Sequence, residues 1–342
     1  GWEDKLLQTL NGKKPDYLII SHLEPDHAGS IGRMVELFPE VKLVASAKAI
    51  AMLPQFFEDK LDAQEKIAVK EGEELSLGTH TLVFYMAPMV HWPEVMVTFD
   101  TTDGILYSAD AFGTFGALAG NVFADEVDFE NKWLDEARRY YTNIVGKYGP
   151  QVQMALKKAL ALDIKMICPL HGAIWRENIA WFVDKYNKWS TYTPEDNTVL
   201  IAYASIYGGT ENAANILASE LAKKGIKNIA MTDVSVTHPS YIISEAFRCS
   251  HIVFAAPTYN AGIFTPMETL LLDLVAHNLQ NRTVAFIENG SWAPISAKLM
   301  GDIVAKMKNM TVLASKATLK STVKDAQREE LKTLASEIAE TL

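Results

Sequence analysis

Continuous apolar segments separated by helical stretches occupy the second half of the chain, and they restrict its fold more than any other feature. The predicted strands are Thr198–Ala204, Ile229–Val234, Ile252–Ala256, Thr283–Ile287 and Thr311–Ala314. Strands that are apolar on both sides avoid water only inside a sheet that is covered on both faces. Alternation of such strands with helices therefore predicts an α/β domain built on a doubly wound, five-stranded parallel sheet.

The first half of the chain also alternates short strands with helices. Its predicted strands are Tyr17–Ser21, Val41–Ala45, Leu82–Ala87, Val95–Phe99, Ile105–Ser108 and Lys165–Cys168, with a helical stretch over Asn131–Leu162. An aromatic helix, Ile179–Trp189, is followed by the polar segment Ser190–Asn197, which ends in residues that favour turns. A length of 342 residues suits two domains. We therefore predict domains at residues 1–193 and 194–342.

Charge and composition exclude several classes of partner. The formal net charge of −10 opposes binding to nucleic acid. No apolar run is long enough to span a bilayer, and the first residues show no signal-peptide pattern. The two cysteines, Cys168 and Cys249, fall in different predicted domains, so no disulfide is implied. We expect a soluble protein of the reducing cytoplasm, without a nucleic-acid or membrane partner.

Residue types that bind metals lie at the ends of the predicted strands in the first half. The candidates are His22, Glu24, Asp26, His27, His91, Asp110 and His171. A single histidine of this kind is more often a hydrogen-bonded structural residue or a helix cap. The whole set favours a metal site, because ionisable groups are costly to bury unless they are paired or bound to metal. Strand ends are also where α/β sheets gather their functional groups.

The loop from His22 to His27 resembles that of the metallo-β-lactamase superfamily, which usually reads His-x-His-x-Asp-His. Here Glu24 replaces the second histidine, and a carboxylate shifts the ligand set towards the oxygen-rich type that suits iron or manganese. The resulting His-x-Glu-x-Asp-His loop is similar to that of the flavodiiron proteins. The segments Pro88–Pro93, Ser108–Gly113 and His171–Arg176 also resemble that family.

The resemblance implies a di-iron site. One iron would be bound by His22, Glu24 and His91, the other by Asp26, His27 and His171, with Asp110 bridging the two. The family does not always use the histidine that corresponds to His27 as a ligand. We expect His80 and His238 to be ordinary surface histidines and Cys168 to pack in the core.

A hydroxyl- and glycine-rich loop follows the first strand of the second half and leads into an amphipathic helix. The predicted cofactor-binding residues of this loop are Ser205, Ile206, Tyr207, Gly208, Gly209 and Thr210. A helix N-terminus offers backbone N–H groups and the positive end of its dipole to a phosphate. The chain has neither the ATP-type phosphate loop nor the dinucleotide fingerprint. A simple strand-helix turn would explain the glycines but not the hydroxyl groups.

Aromatic and small polar residues follow two further strands. They are Pro257, Thr258, Tyr259, Asn260, Gly262, Asn289, Gly290, Ser291 and Trp292. This composition suits the stacking and edge hydrogen bonding of an isoalloxazine ring at the switch point of a parallel sheet. The second domain therefore resembles flavodoxin, with FMN as its cofactor. Tyr259 and Trp292 are also candidates for an interface.

The resemblance covers nearly the whole chain and implies a metallo-β-lactamase-like αββα sandwich followed by a flavodoxin-like domain. The chain begins inside the first domain, so we expect the opening strands of the sandwich to lie outside it. The family implies an oxidoreductase that reduces dioxygen to water or nitric oxide to nitrous oxide. A separate donor, such as rubredoxin or a reduced-cofactor-dependent reductase, would supply electrons through FMN to two irons. Two alternatives remain open: a zinc hydrolase fused to a flavodoxin domain, and an electron carrier whose metal domain is a scaffold.

The positions of the two predicted sites favour a dimer. The metal ligands end at His171 and the flavin loops begin at Ser205, with a helix and the linker between them. Each site opens at the strand ends of its own sheet, so one reciprocal two-fold contact would bring each flavin to the irons of its partner. We expect a head-to-tail homodimer, or a multiple of it such as a tetramer. The candidate contact residues are Tyr259, Ile263, Phe264 and Trp292.

Overall fold

A computed structural model describes residues 1–342 and divides them into two compact units. The first unit comprises residues 1–133 and 150–182, and the second comprises residues 134–149 and 183–342. Residues 134–149 therefore belong by their contacts to the second unit, and the predicted boundary after residue 193 stays a prediction. No helix is both long enough and apolar enough to cross a membrane.

The first 190 residues contain eight strands and eight α-helices. The strands are β1 (Tyr17–Ile20), β2 (Lys42–Ser46), β3 (Lys66–Val69), β4 (Glu74–Ser76), β5 (Thr81–Met86), β6 (Met96–Asp100), β7 (Ile105–Tyr107) and β8 (Met166–Cys168). The helices are α1 (Trp2–Leu10), α2 (Pro25–Ala28), α3 (Ile31–Leu37), α4 (Ala47–Phe57), α5 (Phe129–Lys132), α6 (Leu134–Tyr140), α7 (Gly149–Ala159) and α8 (Ile179–Ser190).

The remaining residues contain six strands and five α-helices. The strands are β9 (Asp196–Tyr203), β10 (Ile229–Asp233), β11 (Cys249–Tyr259), β12 (Gly262–Ile263), β13 (Thr283–Asn289) and β14 (Thr311–Leu319). The helices are α9 (Gly209–Lys223), α10 (Pro239–Arg248), α11 (Thr265–Ala276), α12 (Ser296–Val304) and α13 (Asp325–Thr341).

Two sheets form the first unit. The strands β1, β2 and β3 pair in parallel, whereas β4, β5, β6 and β7 pair antiparallel and β8 joins β7 in parallel. Val44 and Val69 of the first sheet share one apolar core with Leu82, Phe84 and Met96 of the second. On its other face, the first sheet packs against helices α3 and α4. The predicted sandwich class is confirmed.

The second unit contains a sheet in the order β10-β9-β11-β13-β14, in which all neighbouring strands are parallel. The two-residue strand β12 pairs antiparallel with the end of β11. Helices α10, α11 and α12 bury apolar residues against one face, and α9 and α13 bury theirs against the other. Burial on both faces explains why the central strands β9, β11 and β13 are largely apolar, and it confirms the doubly wound sheet.

Three predicted boundaries were wrong. The helical stretch Asn131–Leu162 is broken by a π-helical turn at Tyr141–Val145 and a 3-10 turn at Gly146–Tyr148. The linker loses its last two residues to β9, which begins at Asp196. Strand β14 continues to Leu319 although its sequence turns polar after Ala314, because an exposed edge strand does not need to be apolar throughout.

A buried ion pair stabilises the second unit. The Arg138 guanidinium and the Glu195 carboxylate form hydrogen bonds, and only 2% and 5% of these side chains are exposed. Trp189 Nε1 donates a further hydrogen bond of 2.5 Å to Glu195 Oε1. Burial alone would raise the pKa of Glu195, but its contacts with Arg138 and Trp189 outweigh burial and lower it.

Replacing Glu195 with Gln should destabilise the second unit, because Arg138 would keep a buried charge without its carboxylate. We expect a loss of about 3–5 kcal/mol at neutral pH, measured by urea unfolding followed by near-UV circular dichroism. The lowered pKa gives a stabilisation that is fully present above the ordinary carboxyl pKa of about 4.3 and is lost as pH falls through the folded value. The difference between wild type and Glu195→Gln should therefore shrink in acid.

The exposed pair Lys298–Asp302 provides the control. Asp302→Asn should change stability little, because solvent screens this pair. A constant difference between wild type and Glu195→Gln down to pH 3 would contradict the account of the ion pair.

Candidate metal centre and cofactor pocket

Short loops at strand ends carry all seven predicted metal ligands. His22 follows β1, Asp110 follows β7 and His171 follows β8, while His91 lies in the connection between β5 and β6. Helix α2 begins with Pro25 at its first turn, a position that proline favours, and this helix presents Asp26 and His27. The fold brings these residues together from positions far apart in the sequence.

Three ligands gather at one carboxylate oxygen of Asp110. His91 Nε2 lies 3.0 Å from Asp110 Oδ2 and 3.0 Å from Glu24 Oε2. His22 Nε2 lies 3.4 Å from each of the same two oxygens. His22 and Asp110 are buried, whereas Glu24 and His91 are partly accessible. His22, Glu24, His91 and Asp110 thus form a group that could hold one metal ion.

The other three ligands gather at the second oxygen of Asp110. His27 Nε2 lies 2.9 Å from Asp110 Oδ1, and His171 Nε2 lies 3.6 Å from it. His171 Nε2 is also 3.2 Å from Asp26 Oδ2 and 3.2 Å from His27 Nε2. Asp26, His27 and His171 form a second group that could hold a metal ion. Asp110 therefore contacts both groups, one with each oxygen.

The electrostatics of the site fit cations. Burial opposes ionisation of Asp110, but its contacts with His27, His91 and His22 outweigh burial and hold its pKa well below the ordinary range. Burial lowers the pKa of His27 and of His91, yet the carboxylates around them raise both above the ordinary histidine value. Buried His22 Nε2 has no hydrogen-bond partner. On His27 and His91, a proton at Nε2 occupies a position that a metal ion would take on binding.

Glu94 belongs to this site although the sequence did not identify it. Its side chain is fully buried, and Oε1 lies 2.7 Å from His22 Nδ1 and 3.0 Å from the backbone nitrogen of Leu23. Contact with His22 and the Leu23 N–H lowers the pKa of Glu94 despite its burial. In the sequence Glu94 resembles a surface residue of a turn. Its contact with His22 is made only by the tertiary fold, so no local pattern indicates it.

The remaining candidates lie outside both ligand groups. His238 is exposed as expected, and its Nδ1 accepts a hydrogen bond from the backbone nitrogen of Ser240 at the start of α10. His80 is partly exposed and forms an ion pair of 2.8 Å with Asp100. Cys168 is only half-buried, so the expectation that it packs in the core was too strong.

A cavity of about 470 Å³ opens in the second unit, and it is lined mainly by loops that follow β9, β11, β13 and β14. It is lined by Ser205, Ile206, Tyr207, Gly209, Thr210, Pro257, Thr258, Tyr259, Asn260, Ala261, Asn289, Gly290, Ser291, Trp292, Ala293, Ile295, Ser321 and Thr322. Two predicted cofactor residues do not line it: Gly208 is the N-cap of α9, and Gly262 lies in β12.

The loop that contributes Ser321 and Thr322 was missed because β14 was predicted to end at Ala314. Ser321 is fixed to the neighbouring loop by two hydrogen bonds of 3.0 Å, in which its nitrogen donates to Asn289 Oδ1 and Asn289 Nδ2 donates to its carbonyl oxygen. Its hydroxyl oxygen lies 2.7 Å from Ser291 Oγ. This loop therefore forms part of the wall of the cavity.

The cavity fits a phosphate-bearing aromatic cofactor. The Ser205 hydroxyl is buried without a hydrogen-bond partner, and it lies in the loop that leads into the N-terminus of α9. No lysine or arginine lines the cavity, so hydroxyl groups, backbone N–H groups and the helix dipole would meet a phosphate. At the rim, Tyr207 is 98% exposed and Trp292 is 90% exposed, which leaves both rings free to cover a flat ligand.

Two of the four candidate interface residues are less accessible than expected. Ile263 is buried in the core of the second unit, so it cannot contribute to a surface. Phe264 is partly buried and packs against Tyr259, with ring centroids 5.8 Å apart. Tyr259 and Trp292 are exposed and remain candidates.

Replacing Gly209 with Ala should weaken flavin binding. A Cβ atom at this position would lie 2.2 Å from the carbonyl oxygen of Ser321, so helix α9 and the Ser321 loop would move apart. Overpacking of this kind costs roughly 1–3 kcal/mol, which corresponds to about five- to 150-fold in affinity for FMN, measured by fluorescence titration. Gly301→Ala is the control, because its Cβ would meet only Phe286 at 3.8 Å. Wild-type FMN affinity in Gly209→Ala would contradict this account of the cavity.

Comparisons with known proteins identify the family of the chain. Residues 3–172 match the family described as ODP family beta lactamase. The rubredoxin-oxygen oxidoreductase of Megalodesulfovibrio gigas is 31% identical over 98% of this chain and 83% of that protein. The nitric oxide reductase of Moorella thermoacetica is 31% identical over 86% of this chain and 73% of that protein.

Among solved structures, the flavodiiron protein of Giardia intestinalis shares the fold. It has a TM-score of 0.88 at 22% identity, over 99% of this chain and 82% of that one. The match to the oxygen oxidoreductase extends over nearly all of the present chain. The chain therefore belongs to the flavodiiron protein family.

Proposed function

We propose that this chain reduces dioxygen, nitric oxide or both at a pair of non-haem irons, with electrons that pass through FMN. The observation that carries the proposal is that two groups of possible metal ligands meet at buried Asp110, one group at each of its carboxylate oxygens. The relatives' names cover both gases, since one is an oxygen oxidoreductase and another a nitric oxide reductase.

Seven side chains would hold the irons. Those of the first group are His22, Glu24 and His91, those of the second are Asp26, His27 and His171, and Asp110 would bridge them. Bound iron supplies the electrons and the open coordination positions for the gas. The chain supplies three carboxylates that offset the charge of the cations. We include His27 because its Nε2 faces both Asp110 and His171.

The cavity in the second unit would hold FMN. The loop from Ser205 to Thr210 offers the phosphate an unpartnered hydroxyl and the N-terminus of α9. Tyr259 and Trp292 would lie against the isoalloxazine ring. The ring requires no charged side chain for this contact.

A rubredoxin-type protein is the proposed electron donor, because the M. gigas relative is named after its rubredoxin. A flavin can accept electrons in single steps, so it suits a one-electron donor of this kind. A cytoplasmic location stays a prediction.

We also propose the head-to-tail dimer, in which the FMN of one chain serves the irons of another. The exposed rings of Tyr259 and Trp292 at the rim of the cavity support it, since such aromatic residues are enriched at interfaces.

A zinc hydrolase is the less favoured alternative. Glu24 replaces the histidine usual in those enzymes, and the oxygen-rich ligand set suits iron. A flavin cavity has no role in hydrolysis.

Metal content and turnover test the proposal together. Protein produced anaerobically with iron should hold two irons and one FMN, and after chemical reduction it should consume dioxygen or nitric oxide. Asp110→Asn should lose more iron than Glu24→Gln, because Asp110 contacts both ligand groups and Glu24 only one. Stoichiometric zinc without iron would overturn the proposal. Two irons retained equally in both variants would contradict the role of Asp110.

Complementation tests the dimer. One variant lacks metal ligands (His91→Ala, His171→Ala) and the other lacks FMN contacts (Ser205→Ala, Thr210→Ala). After dissociation and reassociation, mixed dimers should regain part of the activity that neither parent shows, because one intact flavin would meet one intact iron pair. Each parent reassociated with itself is the control. No recovery in verified mixed dimers would require electron transfer within one chain.

A further inference from the structure

We infer that Glu94 is a positioning residue for the metal ligand His22, and the inference rests on the di-iron site proposed above. Both side chains are fully buried, and Glu94 Oε1 lies 2.7 Å from His22 Nδ1. No lysine or arginine contacts this carboxylate, so Glu94 does not form a structural ion pair with such a residue. Its hydrogen-bond donors are His22 and the backbone N–H of Leu23.

The contact fixes which nitrogen of His22 carries a proton. Glu94 Oε1 accepts the hydrogen bond of the Leu23 N–H, so this oxygen acts as an acceptor and His22 Nδ1 is the donor in the 2.7 Å contact. The proton on Nδ1 leaves the lone pair of Nε2 free for a metal ion. Nε2 is the atom that faces the ligand group, at 3.4 Å from both Glu24 Oε2 and Asp110 Oδ2. The orientation of the His22 ring and the position of its proton therefore both leave Nε2 available to a metal ion.

The neighbourhood holds Glu94 and His22 in this arrangement. Ser46 Oγ donates a hydrogen bond of 2.8 Å to the carbonyl oxygen of Glu94, and the same hydroxyl caps helix α4. Trp92 packs edge-on against the His22 ring, with centroids 5.1 Å apart. The backbone of Glu94 is thus fixed by Ser46. The His22 imidazole is restrained by Trp92 as well as by the contact at Nδ1.

The contact supports one iron rather than both. Glu94 touches a ligand of the first group, and the second group (Asp26, His27 and His171) includes no residue that Glu94 contacts. A carboxylate that accepts the ring N–H of a ligating histidine raises the basicity of that ligand, and loss of such a partner typically costs about 10–100-fold in metal affinity. Loss of Glu94 should therefore weaken the first iron selectively.

Two variants separate the charge of Glu94 from its shape. Glu94→Gln keeps the size and an acceptor for the Leu23 N–H but removes the charge, whereas Glu94→Ala removes the contact. Asp273→Asn is the matched control, because Asp273 Oδ1 lies 3.2 Å from His277 Nδ1 and Asp273 belongs to no group of residues that could hold a metal ion. Far-UV circular dichroism and the midpoint of thermal unfolding, compared with wild type, report whether each variant has folded.

The measurement is anaerobic titration with Fe²⁺ against a competing chelator, combined with Mössbauer spectroscopy of ⁵⁷Fe. Wild type and Asp273→Asn should bind two irons alike, and Glu94→Gln should bind one of them about 10–100-fold more weakly. To identify that iron, Glu94→Gln is combined with His171→Ala, which leaves the first group intact, and with His91→Ala, which leaves the second. Compared with the single variants, adding Glu94→Gln should lower the iron affinity of His171→Ala and should leave the iron affinity of His91→Ala unchanged.

The outcomes separate this inference from the proposed function. Unchanged affinity for both irons in Glu94→Gln, or equal weakening of the two, would overturn the positioning role. If Glu94→Ala fails to fold, Glu94→Gln decides alone. A wild-type protein that holds no iron pair would instead overturn the proposed function.

Discussion

The architecture of the metal centre depends on one buried carboxylate with a histidine on each side. Asp110 Oδ2 lies 3.0 Å from His91 Nε2, and Oδ1 lies 2.9 Å from His27 Nε2. A carboxylate with 1% exposure is costly unless opposite charge surrounds it, and here four histidines approach it. The same arrangement suits two cations better than it suits protons, because metal ions leave the carboxylate ionised while they bind the histidines in their neutral form.

The two units place their functional residues in the same way. In each, apolar strands form the rigid centre and the loops at strand ends carry the polar groups, so the site forms without polar residues inside the sheet. The first unit gathers ionised and imidazole side chains that suit metal, while the second gathers hydroxyl, amide and aromatic groups around a cavity. The difference in chemistry therefore lies in the loops, and the sheets set the distances.

The parts of the fold and of the site that depend on local sequence patterns could be predicted from the sequence. Strand ends indicated all seven residues that cluster in the structure, because each of them directly follows an apolar segment or lies in a connection between two such segments. Glu94 escaped because its burial follows from long-range packing against His22. Ser321 and Thr322 escaped because β14 is an edge strand, and its polar second half resembles a loop. The break in the helical stretch after Tyr140 depends on packing in the second unit, since glycines alone do not specify a π-turn.

Anomalous X-ray scattering measured on both sides of the iron absorption edge, from crystals of anaerobically prepared protein, tests the central claim most directly. The account predicts two iron peaks, one beside each oxygen of Asp110, with the first near His22, Glu24 and His91 and the second near Asp26, His27 and His171. A single peak, a zinc signal in place of iron, or iron that does not contact Asp110 would contradict it.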